Sequence, residues 1–442
     1  MRGSIRPVAT QAFAAVAVVG VLGLSGMADA RAPQPAPLRP DAVRLAVPAT
    51  ASSGVSVATA GQQVVIVWAA TNGASTDVYA AVSRDGGATF APPKRVNDKD
   101  GDARVNGEQA PRVVIGRGVE VAWLSRVGGT SRVRAAKSAD GGQTFAPATT
   151  VHAEGLPGAR GWHSLAVDKD GAVHFAWLDG RQAHVDGTAA RAEGHAKHAP
   201  MRQDLFQAVW RADGTHDEVP VATNVCFCCK TAVATAPDGA VYVAWRHIYP
   251  TNLRDMAVAR SVDGGRTFSP PVRVSEDHWQ IDGCPDDGPS MAVDAAGIVH
   301  LVWPTLAPGE TPGKAVYYSY SSDGGRAFAP RMRVDDGKGS AAHPQIAAGA
   351  RRVAVVWEQG GPNRGIYLRE IASESTKAQA WTPRMAAIST LGADGSASYP
   401  AVAATATAIV AAWTQGAEHG SEIRVRRIDA PAPPVKTSST TR

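Results

Sequence analysis

Seven short runs of alternating apolar residues in this chain each end in tryptophan: VVIVW at Trp68, VEVAW at Trp123, VHFAW at Trp177, VYVAW at Trp245, VHLVW at Trp303, VAVVW at Trp357 and IVAAW at Trp413. They follow one another at intervals of 55, 54, 68, 58, 54 and 56 residues. Alternation with period two is the pattern of a strand with one buried face, and a repeat of this length accommodates a four-stranded antiparallel unit. Units that cannot bury both faces alone stack around an axis, so the pattern predicts an all-β chain folded as a seven-bladed β-propeller. Six blades are the alternative, with one tryptophan strand belonging elsewhere.

Each unit reads as strand A, a tight turn such as DAAG, strand B ending in the tryptophan, strand C, and a strand D such as PPVRVS. The last unit supplies A at 399–404, B at 408–413 and C at 422–427, and then lacks a strand D. The segment AVRLAV at 42–47 is a spare strand ahead of the first complete unit. It is expected to complete the last blade and close the ring, which removes edges that would otherwise pair with other chains. Forty-four per cent hydrophobic residues and 45 glycines suit a large core joined by many tight turns.

Four of the units place a common octet after strand C: SRDGGATF at 83–90, SADGGQTF at 138–145, SVDGGRTF at 261–268 and SSDGGRAF at 321–328, the last with Ala327 in place of threonine. Serine and aspartate bond nearby backbone amides, and paired glycines take positive φ without strain, so the octet reads as a turn. It resembles the Asp-box, S-x-D-x-G-x-T-W/F, of the sialidase and BNR-repeat proteins, a family of β-propellers. The resemblance covers residues 41–430. It implies the propeller fold and structural roles for Asp85, Asp140, Asp263 and Asp323, and leaves the activity open. Units three and six carry RADGTHDE and SESTKAQAW instead.

The N-terminus has Arg2 and Arg6, an apolar run over 12–24, and Ala28, Asp29 and Ala30, the layout of a secretory signal cleaved near Ala30. Thirteen apolar residues fall short of the roughly 20 that span a bilayer. The mature chain is therefore expected to be exported, to the periplasm or the medium, without a membrane anchor. A Pro-rich linker at 31–40 precedes the propeller, and 431–442 reads as a disordered tail. Losing Arg2, Arg6 and Asp29 takes the net charge from +5 to +4, and no basic run is interleaved with aromatics, which argues against nucleic acid as a partner.

In an up-and-down sheet the A-to-B and C-to-D turns share one face, and the B-to-C and D-to-A connections share the other. The octets are C-to-D turns, so the opposite face is where chemically capable residues gather. His163 opens strand A of unit three; Cys226, Cys228 and Cys229 precede strand A of unit four; His278, Trp279, Asp282 and Cys284 precede that of unit five. His343 and Tyr399 open strands A of units six and seven, and Arg246, His247 and Arg254 are read as the B-to-C loop of unit four. Because strand A is innermost, these residues are expected to ring the mouth of a central channel. His174 and His300, inside strands B, are expected in the core. A charged insertion over 179–204 carries His184, His195 and His198, whose spacing is only a weak metal signal.

All four cysteines fall in two neighbouring connections. They fit two disulfides stapling the channel rim, for instance Cys226 with Cys229 and Cys228 with Cys284. They equally fit a soft-metal site for Cu(I) or Zn, with imidazoles from His163, His247, His278 or His343. The resemblance suggests a sialidase as well. Sialidases share an arginine triad, a tyrosine nucleophile with a glutamate partner and an acid/base aspartate; Tyr399 and Arg246 are the residues that could serve here. The leading F-R-I-P-like motif is missing, and Ile5, Arg6 and Pro7 lie in the signal segment. The reading favoured is a binding or metal-handling module that takes a metal, a small ligand or a glycan at a Cys- and His-rich channel mouth. A glycoside hydrolase acting on sialylated or other acidic glycans is the alternative, and a protein-interaction platform with structural disulfides the third.

Overall fold

The computed structural model describes residues 42–430 apart from 128, 186–202, 212, 282, 308, 310–312, 350–351, 373–384, 390–395 and 418–419. The signal segment, linker and tail, together with Asp282, His195 and His198, lie outside the described residues.

Seven antiparallel sheets follow one another along the chain, each with its strands in the order A, B, C, D, and together they form a seven-bladed β-propeller. Blade one is typical, with Ala51–Ala60, Gln63–Asn72, Ser75–Ser83 and Lys94–Arg95. Blade five has strand A at Ser290–Val293, where the alternation pattern places it. Blade two gains a fifth strand, Ala103–Arg104, beside its strand B. Blade seven is completed by the N-terminal strand Val43–Leu45, with Val43 opposite Val425 and Leu45 opposite Ile423. Arg44 adds two hydrogen bonds to Glu422, at 3.0 and 2.8 Å. Seven blades, not six, therefore close the ring.

The seven tryptophans are buried, and six of them meet the need of a buried indole N–H for an acceptor. Trp303 donates to Asp277 at 2.7 Å, Trp177 to Asp179 at 2.9 Å, and Trp357 and Trp413 to glutamines two residues on. Their rings pack between blades: Trp303 shares an apolar cluster with Tyr242 and Met256 of the preceding blade.

The octets form one repeated turn. Asp263 accepts from the amides of Arg266 and Thr267, both at 3.0 Å, and from the Thr267 hydroxyl at 2.6 Å, while the Ser261 hydroxyl donates to it. Gly264 and Gly265 sit at φ 74° and 86°, which a side chain would strain. Asp85 and Asp140 repeat the arrangement. Asp323 keeps the amide bonds, but Ala327 offers it no hydroxyl.

A feature of strand A positions the site. In blades one, three, six and seven its register slips by one residue, between Ser53 and Ser56, Gly161 and Ser164, Ala342 and Gln345, and Ser398 and Ala401. At each slip a residue takes positive φ: Gly54, Trp162, His343 and Tyr399. The bulge re-aims that side chain out of the regular alternation. By register, the equivalent residues of blades two, four and five are Ala110, Lys230 and Gly288.

Candidate functional site

Side chains from five blades converge at these strand-A starts. Glu108, two residues ahead of Ala110 in blade two, accepts from Lys230 Nζ of blade four at 3.1 and 2.9 Å, from the Gly288 amide of blade five at 2.8 Å, and from His343 Nδ1 of blade six at 3.2 Å. A carboxylate reached from so many blades lies at the axis. Asp287 accepts from the His343 amide at 3.1 and 3.2 Å and from Lys314 Nζ at 3.1 Å. The His343 ring packs against that of Tyr399 at a tilt of 33°, with centroids 4.2 Å apart, and the Tyr399 amide donates to Glu358 at 3.2 Å.

Burial alone would discharge these groups; pairing reverses that for most of them. For His343 burial pulls the pKa down, but Asp287 and Glu108 outweigh it and push the imidazole up to about 10. Against the same burial, Lys230 and His343 hold Glu108 below the usual carboxylate range, and His343 and Lys314 do so for Asp287. Glu358 goes the other way, raised by burial. Burial and the surrounding carboxylates push the Tyr399 hydroxyl up to about 12. The centre thus combines an imidazolium donor, a neutral tyrosine and a carboxyl group able to carry a proton. Ligand atoms of Glu108, Asp287 and His343 lie within 4.8 Å of one another, a metal-like spacing. The Lys230 ammonium and the charged His343 already neutralise the two carboxylates, so this cluster is built as an ion network.

The cysteines lie directly behind it. Cys228 and Cys284 form a disulfide between neighbouring connections, with Cα atoms 6.1 Å apart. Cys226 and Cys229 are buried thiols whose sulfurs are 3.7 Å apart, and the Cys226 sulfur is 4.0 Å from that of Cys228. Arg254 Nη1 donates to Cys226 Sγ at 3.1 Å. The hydrogen bond from Cys229, followed by Arg246 and Arg254 acting against burial, brings the Cys226 thiol down to about 6. Burial first, and then its bond to Cys226, raises Cys229 well above its ordinary value. Lys230 follows Cys229 in sequence, so the thiols and the carboxylate network share one short segment.

The structure alters several expectations for single residues. Arg246, His247 and Arg254 belong to strands, not to a loop: strand B of blade four runs Val241–Tyr249 and strand C Leu253–Ser261, with only 250–252 between them. Strand B runs past its tryptophan here as it does in blades one, two and seven, and Arg246 on that extension donates to the carbonyls of Arg254, Asp287 and Pro304 at 2.9, 2.9 and 2.7 Å. A guanidinium engaged in this way does not clamp a substrate carboxylate. His163 is buried with Nε2 on the Ala122 carbonyl at 3.2 Å, and burial drops its pKa to about 3. His247 accepts from the Trp245 indole through Nδ1 at 3.2 Å, and His278 is exposed. The imidazoles of His163 and His247 are therefore engaged away from the sulfurs. Of the four candidate histidines, His343 joins the central network.

Sequence reasoning missed Glu108, Lys230, Asp287, Lys314 and Glu358. A usable signal existed for the first three: with the units aligned on their tryptophans, His343 and Tyr399 lie 14 residues before the tryptophan, Lys230 and Glu108 lie 15 before it and Asp287 lies 16 before it.

No protein-family model matches the sequence, and no curated protein matches it. Solved structures share the fold at low identity. A protein of unknown function from Dyadobacter fermentans aligns at TM-score 0.52 and 14% identity over 89% of this chain and 99% of its own. An ulvan lyase of polysaccharide lyase family PL25 aligns at TM-score 0.50 and 9% identity, over 86% and 94%. The Hadza microbial sialidase Hz136 aligns at TM-score 0.46 and 14% identity, over 80% and 74%. What this chain shares with the Dyadobacter protein and the ulvan lyase is the fold.

Proposed function

We propose that this chain is an exported, Asp-box propeller of the sialidase-like type that binds a soft metal ion, Cu(I), through the cysteine cluster behind its channel mouth. The observation that carries the reading is the 3.7 Å separation of the Cys226 and Cys229 sulfurs, with Cys228 4.0 Å from Cys226. Metal–thiolate bonds of about 2.3 Å set at the angles of a three- or four-coordinate centre put neighbouring sulfurs about 3.8–4.0 Å apart. A small all-sulfur ligand set suits Cu(I), which soft sulfur ligands select, better than Zn, which takes four ligands in structural sites. Arg254 and Arg246 supply the positive charge that buried thiolates need. Cys228 would join as a third ligand when its disulfide is reduced.

Anaerobic titration of the mature protein with Cu(I) against a chromophoric competitor tests this. The expected result is tight uptake of one ion per chain, lost in Cys226→Ser and in Cys229→Ser. Absence of free thiols together with absence of uptake would leave the cysteines as staples and bring the interaction-platform reading forward.

Tyr399 favours the glycoside-hydrolase reading as a second possibility, since its ring lies against a cationic imidazole with Glu358 at its amide. The engagement of Arg246 with backbone carbonyls counts against sialic acid as the substrate.

A further inference from the structure

A second candidate site lies away from the channel, in a groove between blades two and three. Three residues before each blade tryptophan the chain carries Val65, Glu120, His174, Tyr242, His300, Ala354 and Val410. Glu120 is the one acid of the series. His174 is bonded to Asp168 at 3.1 Å and to Gln207 at 2.9 Å, and His300 to the Tyr318 hydroxyl at 2.8 Å. Glu120 is 95% buried, and one carboxylate oxygen lies 3.4 Å from Lys137 Nζ. Its other oxygen, Oε2, has no hydrogen-bond partner among the described residues. His152, equally buried, donates through Nδ1 to the Ala153 carbonyl at 3.1 Å, which leaves Nε2 as an acceptor, again without a partner among the described residues. An unmet buried acceptor is costly and calls for a donor.

Both groups line one cavity of about 450 Å³, shared with Trp210, Arg211, Thr150 and Lys137. On the sheet face that Glu120 shares, Thr149 pairs opposite Ala135, at the register position that Lys94 fills in blade one, Val272 in blade four and Met332 in blade five. Threonine is smaller than any of these three. The volume is within the roughly 300–1,000 Å³ of small-molecule sites.

We infer that this groove binds a neutral sugar unit. Two buried acceptors require hydroxyl donors, Lys137, Arg211 and Thr149 offer donors to ring and hydroxyl oxygens, and Trp210 supplies an apolar wall. A cationic ligand would meet Lys137 and Arg211, and an anionic one would meet Glu120.

Saturation-transfer NMR on the whole protein, with methyl β-D-glucoside, methyl β-D-galactoside and methyl α-D-mannoside as probes, tests the inference. Transfer to at least one of them is expected. Thr149→Met, which installs the residue that blade five carries there, and Glu120→Leu, which removes the acceptor, should each weaken binding about tenfold or more, the scale of one lost hydrogen bond to a charged group. Cys226→Ser should leave it unchanged. Two variants keep the test open if one fails to fold. No transfer to any probe, transfer only to an acidic control such as methyl glucuronide, or wild-type binding in the folded variants would overturn the inference.

Discussion

Glu108 of blade two and His343 of blade six meet across the axis of the propeller, carboxylate to Nδ1 at 3.2 Å, from positions 235 residues apart. The pair sits in a network with Lys230, Asp287 and Lys314, so it holds opposite blades together with charges that burial alone would not tolerate.

Replacing His343 with Gln should therefore destabilise the fold by about 3–5 kcal/mol, the usual effect of removing one partner from a buried ion pair. Urea unfolding of the variant and the wild type gives the difference. The pH dependence has a definite sign. His343 is raised in the folded state to about 10 from 6.5, so its contribution is complete below pH 6.5 and is lost as pH rises through 10. Asp287 and Glu108 are lowered, so theirs is present above the ordinary carboxylate range and is lost as pH falls. Melting temperature against pH should show the alkaline decline in the wild type and a much weaker one in His343→Gln.

Removing residues 31–50 deletes Val43–Leu45 and strips blade seven of its fourth strand. A marked fall in melting temperature is expected, accompanied by aggregation through the exposed edge. An unchanged melting curve would mean that the ring does not depend on the strap.

Cys284→Ser breaks the disulfide to Cys228 and should cost about 2–5 kcal/mol, as loss of a native disulfide does in smaller domains. The same change frees a third thiol beside Cys226. If the cysteines bind Cu(I), competition titration should then show higher affinity than in the wild type, an opposite sign for binding and stability from one substitution.

The fourth octet offers a test by addition. Ala327→Thr would restore the hydroxyl that reaches Asp85, Asp140 and Asp263 at 2.6 Å in the other three. A small rise in melting temperature is expected, whereas the matching loss, Thr267→Ala, should lower it.

Simple α-sialosides should not be hydrolysed, because the Arg246 guanidinium is spent on the Arg254, Asp287 and Pro304 carbonyls. Saturable turnover abolished by Tyr399→Phe would place the glycosidase reading ahead of the metal-binding one.

What could be read directly from the sequence was local or periodic. The Trp68-to-Trp413 series set the blade count because one strand type recurs with one burial pattern. The octets marked their turns because each turn is built within eight residues. The Cys228–Cys284 pairing was among the readings because both cysteines precede strand A in adjacent units. The pairings of the charged centre were not legible for the opposite reason: Glu108 meets Lys230 and His343 only after the ring closes, and aligning the units gives positions along each blade but not contacts made across an axis. Arg246 shows the same limit on a smaller scale. Its place in the chain was plain, but the direction of its side chain depends on carbonyls of residues 254, 287 and 304.

The strap of Val43–Leu45 also imposes an order of events. Arg44 and Glu422 are 378 residues apart, yet they lie on paired strands of one sheet. Synthesis delivers the strap before any blade, and its partner only when nearly everything else has been made. Six blades can thus assemble in sequence while the first strand waits unpaired, and joining the two ends is a single long-range closure of high contact order. The step that completes the ring is for that reason expected to be the slow one, set by how long the earliest segment of the chain stays free to meet the latest.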